Sequence, residues 1–143
     1  GSRTAAEATQ LSQAEQAQIR SLAETDRKVR THESAHLAAA GGLSQGGASF
    51  GFKTGPDGKS YAISGEVQIS TAQGRTPEET LARAEQIRRA ALAPADPSSQ
   101  DHRVAAEAAQ MASEAQAELM KKALASGYDS SASRRGSQVD TEA

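Results

Sequence analysis

The sequence predicts an α+β fold, mostly helical: a long first helix that carries the candidate site, a β-hairpin, then two further helices. Three observations predict it. Apolar residues recur at alternating three- and four-residue spacing in three separate segments, which marks helices with one inward face. Two short runs alternate with period two on either side of a strong turn signal, which marks a hairpin. Alanine is abundant while the aromatic residues are two Phe and two Tyr, so the core must come from close helix packing with little apolar area to bury.

In order, residues 1–11 read as an expression scar (Gly1-Ser2) and a frayed lead-in, so the natural N-terminus is expected to be missing. Ser12-x-x-Glu15 is a capping box opening a helix over residues 12–40. Ile19, Leu22, Ala23, Val29, Leu37 and Ala40 mark its apolar side, and Gly41-Gly42 stops it. Asp26, Glu33 and His36 fall on that same stripe, where apolar residues would be expected. The hairpin arms are Ala48-Ser49-Phe50-Gly51-Phe52 and residues 61–69, joined through Gly55-Pro56-Asp57-Gly58. Period two sends Tyr61, Ile63, Val67 and Ile69 to one side of the second arm and Ala62, Ser64, Glu66 and Gln68 to the other. Thr76-Pro77-Glu78-Glu79 starts a helix over residues 76–92 with Leu81, Ala84, Ile87 and Ala91 inward. Pro94 and Pro97 break it, Ser98 or Ser99 caps a last helix to about residue 125, and Gly127 supplies the stop. Its stripe is Val104, Ala108, Met111, Ala115 and Leu119. Residues 12–127 form the expected domain and 128–143 a disordered tail.

Composition narrows the function classes. A net charge of −2 with acids and bases interspersed argues against a nucleic-acid surface. No run is apolar and long enough to span a bilayer. The absence of cysteine excludes disulfides and thiolate zinc sites and leaves the compartment, cytoplasmic or exported, open. Oligomeric state is not legible.

Two of the three histidines lie in Thr31-His32-Glu33-Ser34-Ala35-His36, an intact H-E-x-x-H near the end of the first helix. Residues four apart share a helix face, so His32 and His36 can offer two imidazole nitrogens to one Zn²⁺. Glu33 stands beside them and can act on a water without being a ligand, the arrangement of a zinc metallopeptidase. A polar group on a core-facing stripe needs a partner, and a metal is a natural one. Asp26 is either a supporting partner of that site or a solvated charge.

The run Val29-Arg30-Thr31-His32-Glu33-Ser34-Ala35-His36-Leu37-Ala38-Ala39-Ala40-Gly41-Gly42 resembles the SprA-related family of bacterial metalloproteases. So do Gly55-Pro56-Asp57-Gly58-Lys59-x-Tyr61-Ala62, Gly65-Glu66-Val67, and Ala90-Ala91-Leu92-Ala93-Pro94-Ala95-Asp96-Pro97-Ser98-x-Gln100-Asp101. The likeness covers about residues 27–120 in order. It implies a zinc-dependent peptidase. Ser70 departs from the family's pattern, which has Asp in that place after Gly-Glu-Val, so no role of that Asp carries over. The helix–hairpin–helix order is also similar to the smallest gluzincins, a minimal zincin-like arrangement in which a downstream Glu completes the ligand set.

A catalytic zinc needs a third protein ligand. The candidates are His102 and the downstream carboxylates. Glu66 is expected to fill the place, since it lies in a matched motif and interrupts an uncharged strand; His102 and Glu78 are the alternatives. Strand parity counts against Glu66 unless a bulge intervenes or the polar side of the hairpin faces the first helix. Glu33 is expected as general base, with Tyr61 or His102 as oxyanion donor, on a peptide or protein substrate added as a strand at the hairpin edge. Because both His must be neutral to ligate, metal and activity are expected to be lost at mildly acidic pH. The competing reading is a non-catalytic zinc-binding or purely helical interaction module, since Ala-rich seams also suit partner helices.

Overall fold

The computed structural model describes residues 10–142, with side chains through Gly127; residues 1–9 of the lead-in expected over residues 1–11, and Ala143, lie outside the described residues. The chain folds as α1 (Gln13–Ala40), a short 3-10 turn (Gly41–Leu43), β1 (Ser49–Thr54), β2 (Ser60–Glu66), α2 (Pro77–Ala91) and α3 (Ser99–Glu142). This is the α+β order that the periodicities predict.

Each helix begins where its side chains can replace the missing turn. At α1 the capping box is reciprocal: Glu15 N–H donates to Ser12 Oγ and Ser12 N–H to the Glu15 carboxylate, both at 3.1 Å. At its other end the Gln86 side chain of α2 donates to Ala40 O at 2.9 Å, satisfying a carbonyl that the helix cannot. Thr76 caps α2 through Glu79 N–H, but the Glu79 carboxylate reaches back to Arg75 N–H rather than to the cap residue itself. At α3, Ser98 Oγ accepts from Asp101 N–H while an Asp101 carboxylate oxygen accepts from Ser98 N–H. The same helix runs past the stop expected at Gly127 and through the stretch expected as a disordered tail, to Glu142. One interior glycine costs a helix only about 1 kcal/mol, too little to end it alone.

The core lies between α2 and α3. Ala84, Ile87, Ala108 and Met111 pack together, and Leu43, Ile69, Val104 and Ala112 close the cluster. Ile87 is the largest side chain with no exposure, and most of the other buried residues along the seam are alanines, which let the two backbones approach closely.

The hairpin packs on α1 instead. Asp26 accepts the Ala62 N–H at 2.6 Å, Ala62 is fully buried, and the Arg30 guanidinium lies 5.0 Å from the centre of the Phe50 ring. The expected face of β2 does not survive intact. Gly51 pairs with Ser64 but Phe52 pairs with Ala62, so Ile63 is an extra residue in a bulge and is 44% exposed. One inserted residue reverses the alternation beyond it. Past the bulge the chain continues along the end of α1, where Ser70 N–H donates to Leu43 O and Gln45 N–H to Gln68 O, each at 2.8 Å.

Candidate metal centre

The stripe that carries α1 against the rest of the molecule also carries the site. Glu33 and His36 are only 5% and 4% exposed, and His32 stands one turn before His36 at the rim. The ring nitrogens His32 Nε2 and His36 Nε2 are 3.2 Å apart. His36 is oriented from behind: its Nδ1–H donates to Ala90 O at 2.8 Å. Ala90 lies in the last turn of α2, where its carbonyl has only a long 3.4 Å contact from Ala93 N–H and stays open to the imidazole. A histidine whose far nitrogen is tied in this way presents a fixed Nε2.

The third group comes from the start of α3. Pro94 and Pro97 end α2 and redirect the chain, so that Asp101, in the first turn of α3, points back at α1. Its Oδ2 lies 3.1 Å from His32 Nε2 and its Oδ1 3.1 Å from His36 Nε2. Ser98 N–H holds the carboxylate in place at 2.9 Å. Among the described residues, His32, His36 and Asp101 are the metal-ligating side chains whose donor atoms converge.

The chemistry of that trio favours a cation. A carbonyl oxygen only accepts, so the proton of neutral His36 sits on Nδ1 and its Nε2 is a bare lone pair. That lone pair faces a carboxylate oxygen and a second imidazole nitrogen, an arrangement stable only with a proton or a cation among the three. Tetrahedral zinc with bonds of roughly 2.0–2.2 Å spaces its ligand atoms about 3.3 Å apart. The two Nε2 atoms lie 3.2 Å apart, each lies 3.1 Å from a different Asp101 oxygen, and one donor atom from each residue falls within 4.8 Å of the others, close to that spacing.

Glu33 is not part of the trio. Its side chain lies against Gly65, where a Cβ would come within 2.7 Å of Glu33 Cγ, and so the strand passes close enough to bury it. Burial pushes its carboxyl above the ordinary range; positive charge on His32 and His36 pulls the other way, and Asp101 and Glu66 add to the rise. For Asp101 burial also pushes up, but the Ser98 N–H, the Ser98 hydroxyl and the two imidazoles together hold it below the usual carboxylate range. His32, Glu33, His36 and Asp101 line one cleft of about 170 Å³, walled on the hairpin side by residues 65–69.

The carboxylate that converges with the two histidines is Asp101, not the expected Glu66. Glu66 reaches the rim of the cleft, but its carboxylate is exposed and accepts from Gln68 Nε2 at 2.8 Å. The bulge at Ile63 turns Gly65 towards α1 and leaves Glu66 facing out. His102 and Glu78 are both exposed; His102 follows Asp101 in the helix and so points away from the site. Tyr61 is not placed to donate to an oxyanion: it sits at the turn end of the hairpin, its hydroxyl donates to Asp57, and it does not line the cleft. Asp26 supports the site indirectly, by tying β2 to α1 through Ala62. The residue that sequence reasoning missed is Asp101. Its signal was present, because it ends the Ala90–Asp101 motif and stands three residues after Ser98, but a helix cap alone accounts for that spacing.

The model of the SprA-related family matches residues 2–131 of the chain. No curated protein and no solved structure matches it.

Proposed function

We propose that this chain, which belongs to the SprA-related family, is a zinc-dependent peptidase that hydrolyses peptide or protein substrates at the cleft between α1 and the start of α3. One observation carries the reading: a buried glutamate with a raised pKa shares a small cleft with three converging metal-ligating groups, yet is not one of them. A purely structural site has no use for a base in that position.

His32, His36 and Asp101 would hold the ion. When bound, zinc supplies the Lewis acidity that makes water nucleophilic near neutral pH and polarises a carbonyl. The protein's own groups do the rest. Ala90 O fixes the His36 ring, and Ser98 N–H fixes the Asp101 carboxylate. Glu33 takes a proton from the attacking water at its carboxylate and passes it to the leaving amine. Burial favours the first half, since a carboxylate with a raised pKa takes the proton from water more readily than a solvated one.

The test is hydrolysis of casein and of a mixed peptide library by zinc-loaded protein, beside Glu33→Gln loaded the same way. The wild type is expected to cleave, and Glu33→Gln to bind zinc and not cleave. Turnover by Glu33→Gln at the wild-type rate would remove Glu33 as the base. Tight zinc binding with no cleavage by the wild type would favour a non-catalytic zinc module instead.

A further inference from the structure

Next to the cleft, on the other side of His32, lies a second and larger concavity. One wall is a stripe of α1, namely Arg27, Lys28, Thr31 and Ala35, and the other is the loop Pro94, Ala95 and Asp96; His32 belongs to both this groove and the metal cleft. The two spaces differ in capacity. The metal cleft, at about 170 Å³, has room for a water and a carbonyl group, whereas the groove measures about 510 Å³, within the range of roughly 300–1,000 Å³ typical of ligand pockets. A peptide bond brought to the metal cleft therefore places its flanking side chains next door.

We infer that this groove is the specificity subsite of the proposed peptidase, taking an apolar substrate side chain between Ala35, Pro94 and Ala95 while Arg27 and Lys28 hold an acidic group beside it. The inference rests on the peptidase reading. The floor is made of small apolar residues, and Pro94 is buried, so the loop wall is preformed. The α1 wall is cationic. Lys28 is shared with Glu24 at 3.2 Å, but among the described residues the Arg27 guanidinium has no ion-pair partner. Asp96 is the single acid on the lining, on the loop wall, so two cations outnumber it and the groove favours a negative group on the α1 side.

The experiment is cleavage profiling of zinc-loaded protein on a peptide library, read as kcat/KM ratios by residue and position. Two variants are compared with the wild type, Ala95→Trp to fill the groove and the double variant Arg27→Glu, Lys28→Glu. All three positions are exposed or at the rim, and zinc content and Tm report that each variant is folded. Ala95→Trp is expected to lower the preference for a large apolar residue over glycine at one position by about tenfold. The charge reversal is expected to shift acidic over basic preference at a neighbouring position by about fivefold or more. Profiles unchanged in both folded variants overturn the subsite while leaving the peptidase standing. Absence of cleavage by the wild type overturns the peptidase reading and the subsite with it.

Discussion

Replacing Asp101 by Asn separates the ligand role from every other task of that side chain. The carboxylate does two jobs at once: it lies 3.1 Å from each imidazole, and it accepts the Ser98 N–H at 2.9 Å as part of the cap of α3. Asparagine keeps an oxygen for Ser98 and removes the charge that zinc requires. Loss of a partner that merely orients a ligand weakens metal binding about 10–100-fold, so loss of a ligand is expected to cost at least about 100-fold, or about 2.7 kcal/mol. The same figure sets the loss of zinc-induced stabilisation at fixed free zinc. With each kcal/mol worth a few degrees in a domain of this size, saturating zinc should raise the Tm of Asp101→Asn by roughly 10 °C less than it raises that of the wild type. Asp101→Ala should lose the same zinc affinity and, in addition, about 1 kcal/mol of metal-free stability from the broken cap. Competition with a chromophoric chelator at pH 7.5 measures the affinity, and Glu66→Gln is the control, expected to stay within a few-fold of wild type. Zinc binding by Asp101→Asn equal to wild type, or an equal loss in Glu66→Gln, would refute the assignment of the third ligand.

Four further outcomes follow from the same geometry. Because the Glu33 carboxyl is raised by burial, its ionisation opposes folding: the cost appears as pH rises through the unfolded value and is complete above the folded one. Metal-free Glu33→Gln should thus melt above the wild type at pH 7 with the gap closing in acid, and a gap independent of pH would contradict this. The Asp26 carboxyl is lowered chiefly by the Ala62 N–H, so its contribution is present above the unfolded value and lost as pH falls through the folded one. Asp26→Ala should lower the Tm at pH 7, with the gap beginning to narrow only as pH falls below about 4. Gly65→Ala sets a methyl 2.7 Å from Glu33 Cγ and 3.1 Å from Phe50 Cδ1, and is expected to cost about 1–3 kcal/mol by denaturant unfolding and to lower turnover; wild-type values in both would mean that β2 is not pressed on the base. Zinc should be lost at mildly acidic pH, since ligation needs both imidazoles neutral, and full retention on dialysis at about pH 5 would exclude ligation by His32 and His36.

The local features were legible because local chemistry specifies them. Ser12-x-x-Glu15 is a cap in the sequence and a reciprocal pair of hydrogen bonds in the fold. Gly55-Pro56-Asp57-Gly58 is a turn in both, with Gly58 at φ 79° where a side chain would be strained. The spacing of His32 and His36 put both on one helix face, and the hydrogen bond of His36 Nδ1 to Ala90 O then fixes the rotamer that brings their nitrogens together. Glu33 and His36 fell on an apolar stripe, and their burial is what that placement implies.

Tertiary structure alone decided the rest. Glu66 was chosen for its matched motif and as the one charge in an uncharged strand, against the strand alternation; the inserted residue Ile63 leaves its carboxylate facing out, and a bulge depends on what the strand packs against. The segment from Ala90 to Asp101 read as a broken helix followed by a new one. In the fold its two ends meet the same histidine pair, Ala90 O fixing His36 and Asp101 facing both rings. Periodicity and capping report what a residue does along its own element. Which carboxylate crosses 69 positions of chain to stand 3.1 Å from His32 depends on how α3 docks against α1, and only the packed fold carries that information.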